Sequence, residues 1–179
     1  MDTAAAGLRQ TPGLAAGAQQ LVGFEIAGQK HAFRIEQIRE IVIPASVTRI
    51  PEVPPYLEGV SNLRGTIIPI INLRVLFGLD YREIDEDTRT IVVNVGSRTV
   101  GCNVDSVYRV MWVAADQIQA APDTALASGR TFIDGFARVG DELFILLDAD
   151  QMLDPANLDE VHRVSLHGVT DSRSSLGAD

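Results

Sequence analysis

The chain is poor in the residues that most binding and catalytic chemistry draws on. It has one cysteine, one tryptophan, one lysine and three histidines, and only 6% of it is aromatic. Cys102 stands alone, so no internal disulfide can form; this excludes a disulfide-stapled scaffold and predicts a reducing, cytoplasmic setting. It lies in a strand-like run and reads as a small buried apolar residue, not a nucleophile. Lys30 is the one lysine; 15 basic residues face 24 carboxylates, for a net charge of −9. Nucleic acid and anionic membrane are therefore not expected as partners, because both need a basic face. No apolar run approaches the roughly 18 residues of a membrane span, and no basic patch followed by an apolar core marks a signal peptide. Direct membrane insertion is not expected.

The shortage extends to motifs. Of His31, His162 and His167, the last two fall in a presumed tail, so no zinc spacing exists and no metal site is expected. The chain has no G-x-x-x-x-G-K-[ST], no G-x-G-x-x-G and no G-x-S-x-G. No catalytic residue, no cofactor and no enzymatic activity is expected. His31 reads as a solvent-facing residue on a hairpin strand.

What is present centres on Gly59 to Arg74, which contains Asn62-Leu63-Arg64-Gly65 and then the β-branched run Ile67 to Ile71. That run reads as a buried strand. Pro69 inside it cannot donate to a ladder, so an edge or a bulge is predicted there. Arg64 sits between Leu63 and Gly65, and Glu40 between Ile38 and Ile41. Both charges interrupt apolar patterns, and an ion pair between them would satisfy both.

Along the chain, residues 1–20 lack any period and read as a disordered tail. Strands are expected at 21–27 and 30–35 around a Gly28-Gln29 turn. Ile35, Ile38, Ile41 and Val42 recur at helical spacing and predict a short helix or turn. A short strand follows at 47–50, one helical turn at 56–59, the central strand, a short helix near 74–77 capped by Gly78, and a charged loop at 81–87. The second half gives strands at 90–95 and 98–104 around Gly96-Ser97. Val104, Val107, Val110 and Met111 then repeat the helical spacing. A loop at 114–130, a hairpin at 132–147 around Gly140-Asp141 and a helical turn at 148–153 complete it. Residues 156–179 read as a short helix and a flexible tail.

The chain repeats itself. Ile35, Glu36, Ile38 and Ile41 match Val104, Asp105, Val107 and Val110 at one constant offset. Gly59, Ile70, Ile71, Asn72 and Leu76 match Gly135, Leu146, Leu147, Asp148 and Met152 at a slightly larger one. Halves at about 21–85 and 86–155 follow. Short strands with Gly and Pro turns predict a mainly β protein of two small barrels, with short helices, packed on a shared core.

Asn62-Leu63-Arg64-Gly65, the Pro-interrupted run, Leu73-Arg74 and Phe77-Gly78-Leu79, with Glu40-Ile41 upstream and Val100-Gly101 through Asp105 downstream, resemble the CheW family of chemotaxis coupling proteins. The resemblance covers residues 21–155. It implies two SH3-like five-stranded barrels and a non-catalytic adaptor in bacterial chemotaxis signal transduction. Such an adaptor joins the cytoplasmic tip of methyl-accepting chemoreceptors to the regulatory domain of a CheA-type histidine kinase. It is cytoplasmic and recruited to membrane-associated receptor arrays. The candidate partner-binding residues are Ile38, Glu40, Ile41, Asn62, Arg64, Gly65, Val104, Asp105 and Val107. Ile38, Ile41, Val104 and Val107 hold equivalent repeat positions and could flank one crevice between the barrels, or simply be core. Val42 stands where the family often has Arg, and Asn72 where it commonly has Asp. The rivals are a regulatory module of a signalling enzyme, a scaffold of an accessory receptor–kinase pathway, and a small-ligand-binding barrel. No ATP-site or phospho-acceptor segment precedes residue 21 and no receiver follows residue 155, which weighs against the first.

Overall fold

Four two-residue turns set the hairpins: Ala27-Gly28, Arg64-Gly65, Gly96-Ser97 and Gly140-Asp141. In the first two, both residues have positive φ (51° and 76°, then 51° and 87°), the geometry that matches the twist of the flanking strands. The computed structural model describes residues 17–123 and 132–152. The expected segment 156–179 lies outside the described residues, as do most of the N-terminal tail and part of the 114–130 loop. The strands are β1 Gln19–Ile26, β2 Gln29–Arg34, β3 Ile38–Val42, β4 Leu57–Leu63, β5 Thr66–Asn72 and β6 Arg89–Val95. They continue with β7 Arg98–Val104, β8 Ser106–Val113, β9 Ile118–Ala120, β10 Ile133–Val139 and β11 Glu142–Leu147. Two one-turn helices, α1 Leu73–Leu76 and α2 Ala149–Met152, follow β5 and β11.

The architecture is mainly β, in two sheets: β8-β1-β2-β11-β10-β9 and β3-β6-β7-β5-β4. The repeat is real, but its halves do not fold separately. Hairpin β1–β2 of the first half joins β8 to β11 of the second; hairpin β6–β7 of the second joins β3, β4 and β5 of the first. The five-stranded sheet is thus continuous in sequence and the six-stranded one is interrupted. The largest core cluster lies between the sheets, with Phe24, Ile26 and Phe33 from one against Ile71, Ile91, Val93 and Cys102 from the other. Each sheet also wraps a small core of its own: Leu21, Ala32, Met111, Phe144 and Leu146 in one, Ile68, Ile70 and Val92 in the other. Burial pushes the Cys102 thiol up to about 12, so it stays protonated packing.

Several expectations change. The first strand starts at Gln19, so Gln19 and Gln20 pair with β8 and are not tail. Residues 38–42 and 106–113 are strands; of the segments expected to be helical here, 35–37 forms a 3-10 turn. Each carries a bulge, at Arg39 between Ile38 and Glu40 and at Tyr108, opposite Gly23 and Phe24. The extra residue breaks period-two alternation and leaves a spacing of three that imitates a helix. Tyr56 to Gly59 is not a helical turn, since β4 begins at Leu57, and 47–50 reduces to one bridge between Thr48 and Val60. The expected loop after Ala114 contains β9, which raises one sheet to six strands. Pro69 is in an interior strand, but the parallel ladder between β5 and β7 starts only at Ile70–Gly101. The residue without an N–H sits just ahead of that ladder. His31 is buried, at 4% exposure, and does not face water.

Candidate partner-binding site

The repeat glycines explain themselves first. A side-chain carbon on Gly59 would sit 2.1 Å from the Thr48 carbonyl oxygen, and one on Gly135 would sit 2.3 Å from that of Gln119. At both positions a neighbouring backbone segment crosses too closely for any side chain. Gly59 therefore fixes where the 45–50 segment lies against β4, and β4 in turn places the turn that carries Arg64.

At that turn the Asn62 side chain accepts a hydrogen bond from the Gly65 N–H at 2.8 Å, holding the reversal. Arg64 points from it to β3, and its Nη2 lies 2.9 Å from Glu40 Oε2. The expected ion pair exists, and it lies at the surface: the Arg64 side chain is 78% exposed and that of Glu40 24%. In that setting solvent screens the pair, so it contributes about 0–1 kcal/mol to folding. Its role is to hold an exposed guanidinium beside β3. There Ile41 is 37% exposed and Ile43 more so, while Ile38 turns inward onto the shared core.

The other predicted residues separate from this patch. Val104 is 1% exposed and belongs to the shared core; Val107 is half-buried against the same cluster. Asp105 is an internal fastener. Its Oδ2 accepts the Ala27 N–H at 2.8 Å and meets Arg74 Nη1 at 2.5 Å, with Arg82 Nη1 at 3.8 Å. Its own N–H donates to the Glu25 carbonyl at 3.1 Å. It ties the first hairpin of one sheet to the helix of the other. Glu40, Ile41, Asn62, Arg64 and Gly65 come together at the surface; Ile38, Val104, Asp105 and Val107 do not join them there.

The two departures have local reasons. Val42 packs against the Ile68, Ile70 and Val92 cluster. Asn72 caps α1 by accepting the Val75 N–H at 3.2 Å and donates to Glu58 Oε1 at 2.7 Å. Glu58 Oε2 also takes a hydrogen bond from Asn103 at 3.0 Å. An aspartate at 72 would place a second carboxylate against Glu58. Reading residues in isolation missed this network and a second exposed apolar row, Tyr108, Val110 and Trp112 on the edge strand β8. The repeat offset itself was the available signal: it carries Ile41 onto Val110 and Ile43 onto Trp112, exposed residues all four.

Among the described residues no group of His, Cys, Asp and Glu is placed to hold a metal ion, and no helix is long and apolar enough to cross a membrane. The sequence model of the CheW-like domain matches residues 20–157. The chemotaxis protein CheW of Klebsiella aerogenes is 35% identical over 147 residues, 82% of this chain and 89% of that protein. The chemotaxis protein CheW of Helicobacter pylori is 34% identical over 134 residues, 75% of this chain and 81% of that protein. The crystal structure of the scaffolding protein TtCheW from Thermoanaerobacter tengcongensis superposes with a TM-score of 0.69 at 31% identity, covering 78% of this chain and 94% of that one. With the glycine-fixed turn, the Glu40–Arg64 pair and the paired sheets, these matches show that the chain belongs to the CheW-like domain family.

Proposed function

We propose that the protein is a non-catalytic adaptor of chemotaxis signalling that links the cytoplasmic tip of chemoreceptors to the regulatory domain of a CheA-type histidine kinase. It acts from the cytoplasm at membrane-associated receptor arrays. The observation that carries this reading is the family match across residues 20–157, which spans both sheets and the Glu40–Arg64 patch. An adaptor needs exposed surface that folding does not require. The patch fits, with a weakly stabilising ion pair beside an exposed isoleucine on an edge strand.

The test is a double-mutant cycle on Glu40→Ala and Arg64→Ala, read by urea melting and by co-sedimentation with a receptor cytoplasmic fragment and the kinase. Melting is expected to change by about 0–1 kcal/mol per substitution. Assembly of the three-component complex is expected to fall in both single variants, with little further loss in the double. Wild-type assembly in all three variants would remove the patch from the interface. Failure of the wild-type protein to bring receptor and kinase together would remove the adaptor reading itself.

A further inference from the structure

We propose that the cavity between the six-stranded sheet and the segment that follows α1 is a binding site for a small planar aromatic molecule carrying one hydrogen-bond donor, of the indole or phenol type. The cavity measures about 260 Å³. Ile26 and His31 line it from β1 and β2, Leu147 from β11, Phe77 from behind α1, and Phe132 from ahead of β10. Strands of the six-stranded sheet form one wall, and Phe77 and Leu79, in the segment that follows α1, form the other. Drug-sized ligands fill about 300–1,000 Å³, so this space suits one or two fused rings and nothing larger.

The walls select for ring shape. Phe24, His31, Phe77 and Phe132 form one run of stacked rings, with centroids 5.7, 5.4 and 5.4 Å apart and interplanar angles of 17°, 27° and 13°. A planar aromatic guest extends such a run with the offset geometry that rings prefer. Among the described residues no charged side chain lines the space. An ion would lose its hydration there without a partner, so carboxylates and ammonium compounds are excluded.

Gln29 and His31 are the polar residues among those that line the space, and His31 gives the site its direction. His31 Nδ1 lies 3.1 Å from the Gln29 carbonyl oxygen, which can only accept, so the proton sits on Nδ1 and Nε2 is the acceptor. Nε2 has no hydrogen-bond partner among the described residues. Among the described residues no fully enclosed side-chain nitrogen or oxygen lacks a partner, so Nε2 is reachable, and His31 lines the cavity. Burial lowers the His31 pKa against the opposing pull of the Gln29 carbonyl, which keeps this nitrogen unprotonated at neutral pH. An acceptor on a residue only 4% exposed, within an aromatic run, calls for a donor on an aromatic ring. This inference does not depend on the adaptor reading.

The experiment titrates the full chain with indole and with benzothiophene, which has the same shape and no N–H, by isothermal calorimetry at pH 7.5. Indole is expected to saturate one site, and benzothiophene to bind about five- to tenfold more weakly, the equivalent of one hydrogen bond. In His31→Phe, which keeps a ring in the stack, the two should bind equally. In the wild-type protein the ¹⁵N resonance of His31 Nε2 should move with indole and stay still with benzothiophene, a readout that does not depend on the variant folding. Equal affinities in the wild-type protein, a preference for indole retained in His31→Phe, a still resonance, or no saturable binding of either compound would each overturn the proposal.

Discussion

The two sheets build the same corner from different chemistry. In each, a hairpin turn is held by a carboxylate distant in the chain. Ala27 is held by Asp105, which two arginines neutralise, and Gly96 is held by Asp150 through one exposed hydrogen bond at 2.8 Å. In each, a parallel pair of strands opens toward its hairpin turn. In the six-stranded sheet the ladder between β2 and β11 begins at His31–Ile145, and the Lys30–Glu142 ion pair at 2.6 Å closes the mouth. In the five-stranded sheet the equivalent positions are Val100 and Pro69. They are unpaired, Thr99 and Thr66 replace the ion pair, and a groove of about 310 Å³ remains. The difference teaches that a repeat conserves backbone path more strictly than it conserves the means of fastening it. Where proline removes a donor, the ladder starts one pair later and the mouth stays open.

The strongest way to break the comparison is at its shared feature, the glycine crossings. Gly59→Ala is expected to cost about 3–4 kcal/mol, because the added carbon meets a carbonyl oxygen and the backbone sits at φ +145°. Gly135→Ala should cost less, about 1–3 kcal/mol, since only the contact is violated there. Urea melts of both variants rank them, and equal or negligible losses would show that the crossings can relax apart.

The fasteners come next. Asp105→Ala leaves Arg74, itself mostly buried, without its partner, while Asp105 is only 14% exposed. The cost should fall between that of exposed and buried pairs, at about 1–3 kcal/mol. Asp150→Ala loses one exposed hydrogen bond and should cost under about 1 kcal/mol. A reversed order would mean that the arginine cluster adds nothing to the first corner.

The smallest effect sharpens the contrast between His31 and Val100. Burial depresses the His31 pKa below its ordinary 6.5, so the unfolded chain binds the proton more readily. Stability from this group is therefore complete above that range and is lost as pH falls from about 6.5 toward the lowered folded value. The slope is bounded at about 1.4 kcal/mol per pH unit for one proton. Melting between pH 7.5 and 5 should show this decline in the wild-type protein and lack its histidine part in His31→Phe. Identical slopes would place the imidazole in water.

The repeat and two of the hairpins could be read from the residues, because a two-residue turn with glycine has few solutions: Gly96-Ser97 and Gly140-Asp141 appeared where expected, the first turn fell one residue earlier, at Ala27-Gly28, and the Arg64-Gly65 reversal was not foreseen. The Glu40–Arg64 pair was legible for a related reason, since two charges that break apolar patterns need each other. Its exposure was not legible, because that depends on Arg64 standing in the turn and not in the strand. Strands β3 and β8 were misread where bulges disguised their period. The exchange of strands between halves was hidden for a deeper reason: the pairings of β1 with β8 and β2 with β11 join segments far apart in sequence, and no local pattern encodes them.

That exchange also sets an order of events during synthesis. Hairpin β1–β2 is made first, yet its neighbours β8 and β11 come last, while the five-stranded sheet is complete once Val104 has been made. At roughly 5–20 residues per second, the first hairpin waits about 4–14 s before β8 is available. A lone hairpin is at best marginally stable in water. Through that interval Val22, Phe24 and Phe33, all fully or nearly fully enclosed in the finished protein, have no permanent cover. The nascent chain is then a natural client for chaperones, and slowing translation between residues 35 and 105 should lengthen that exposure.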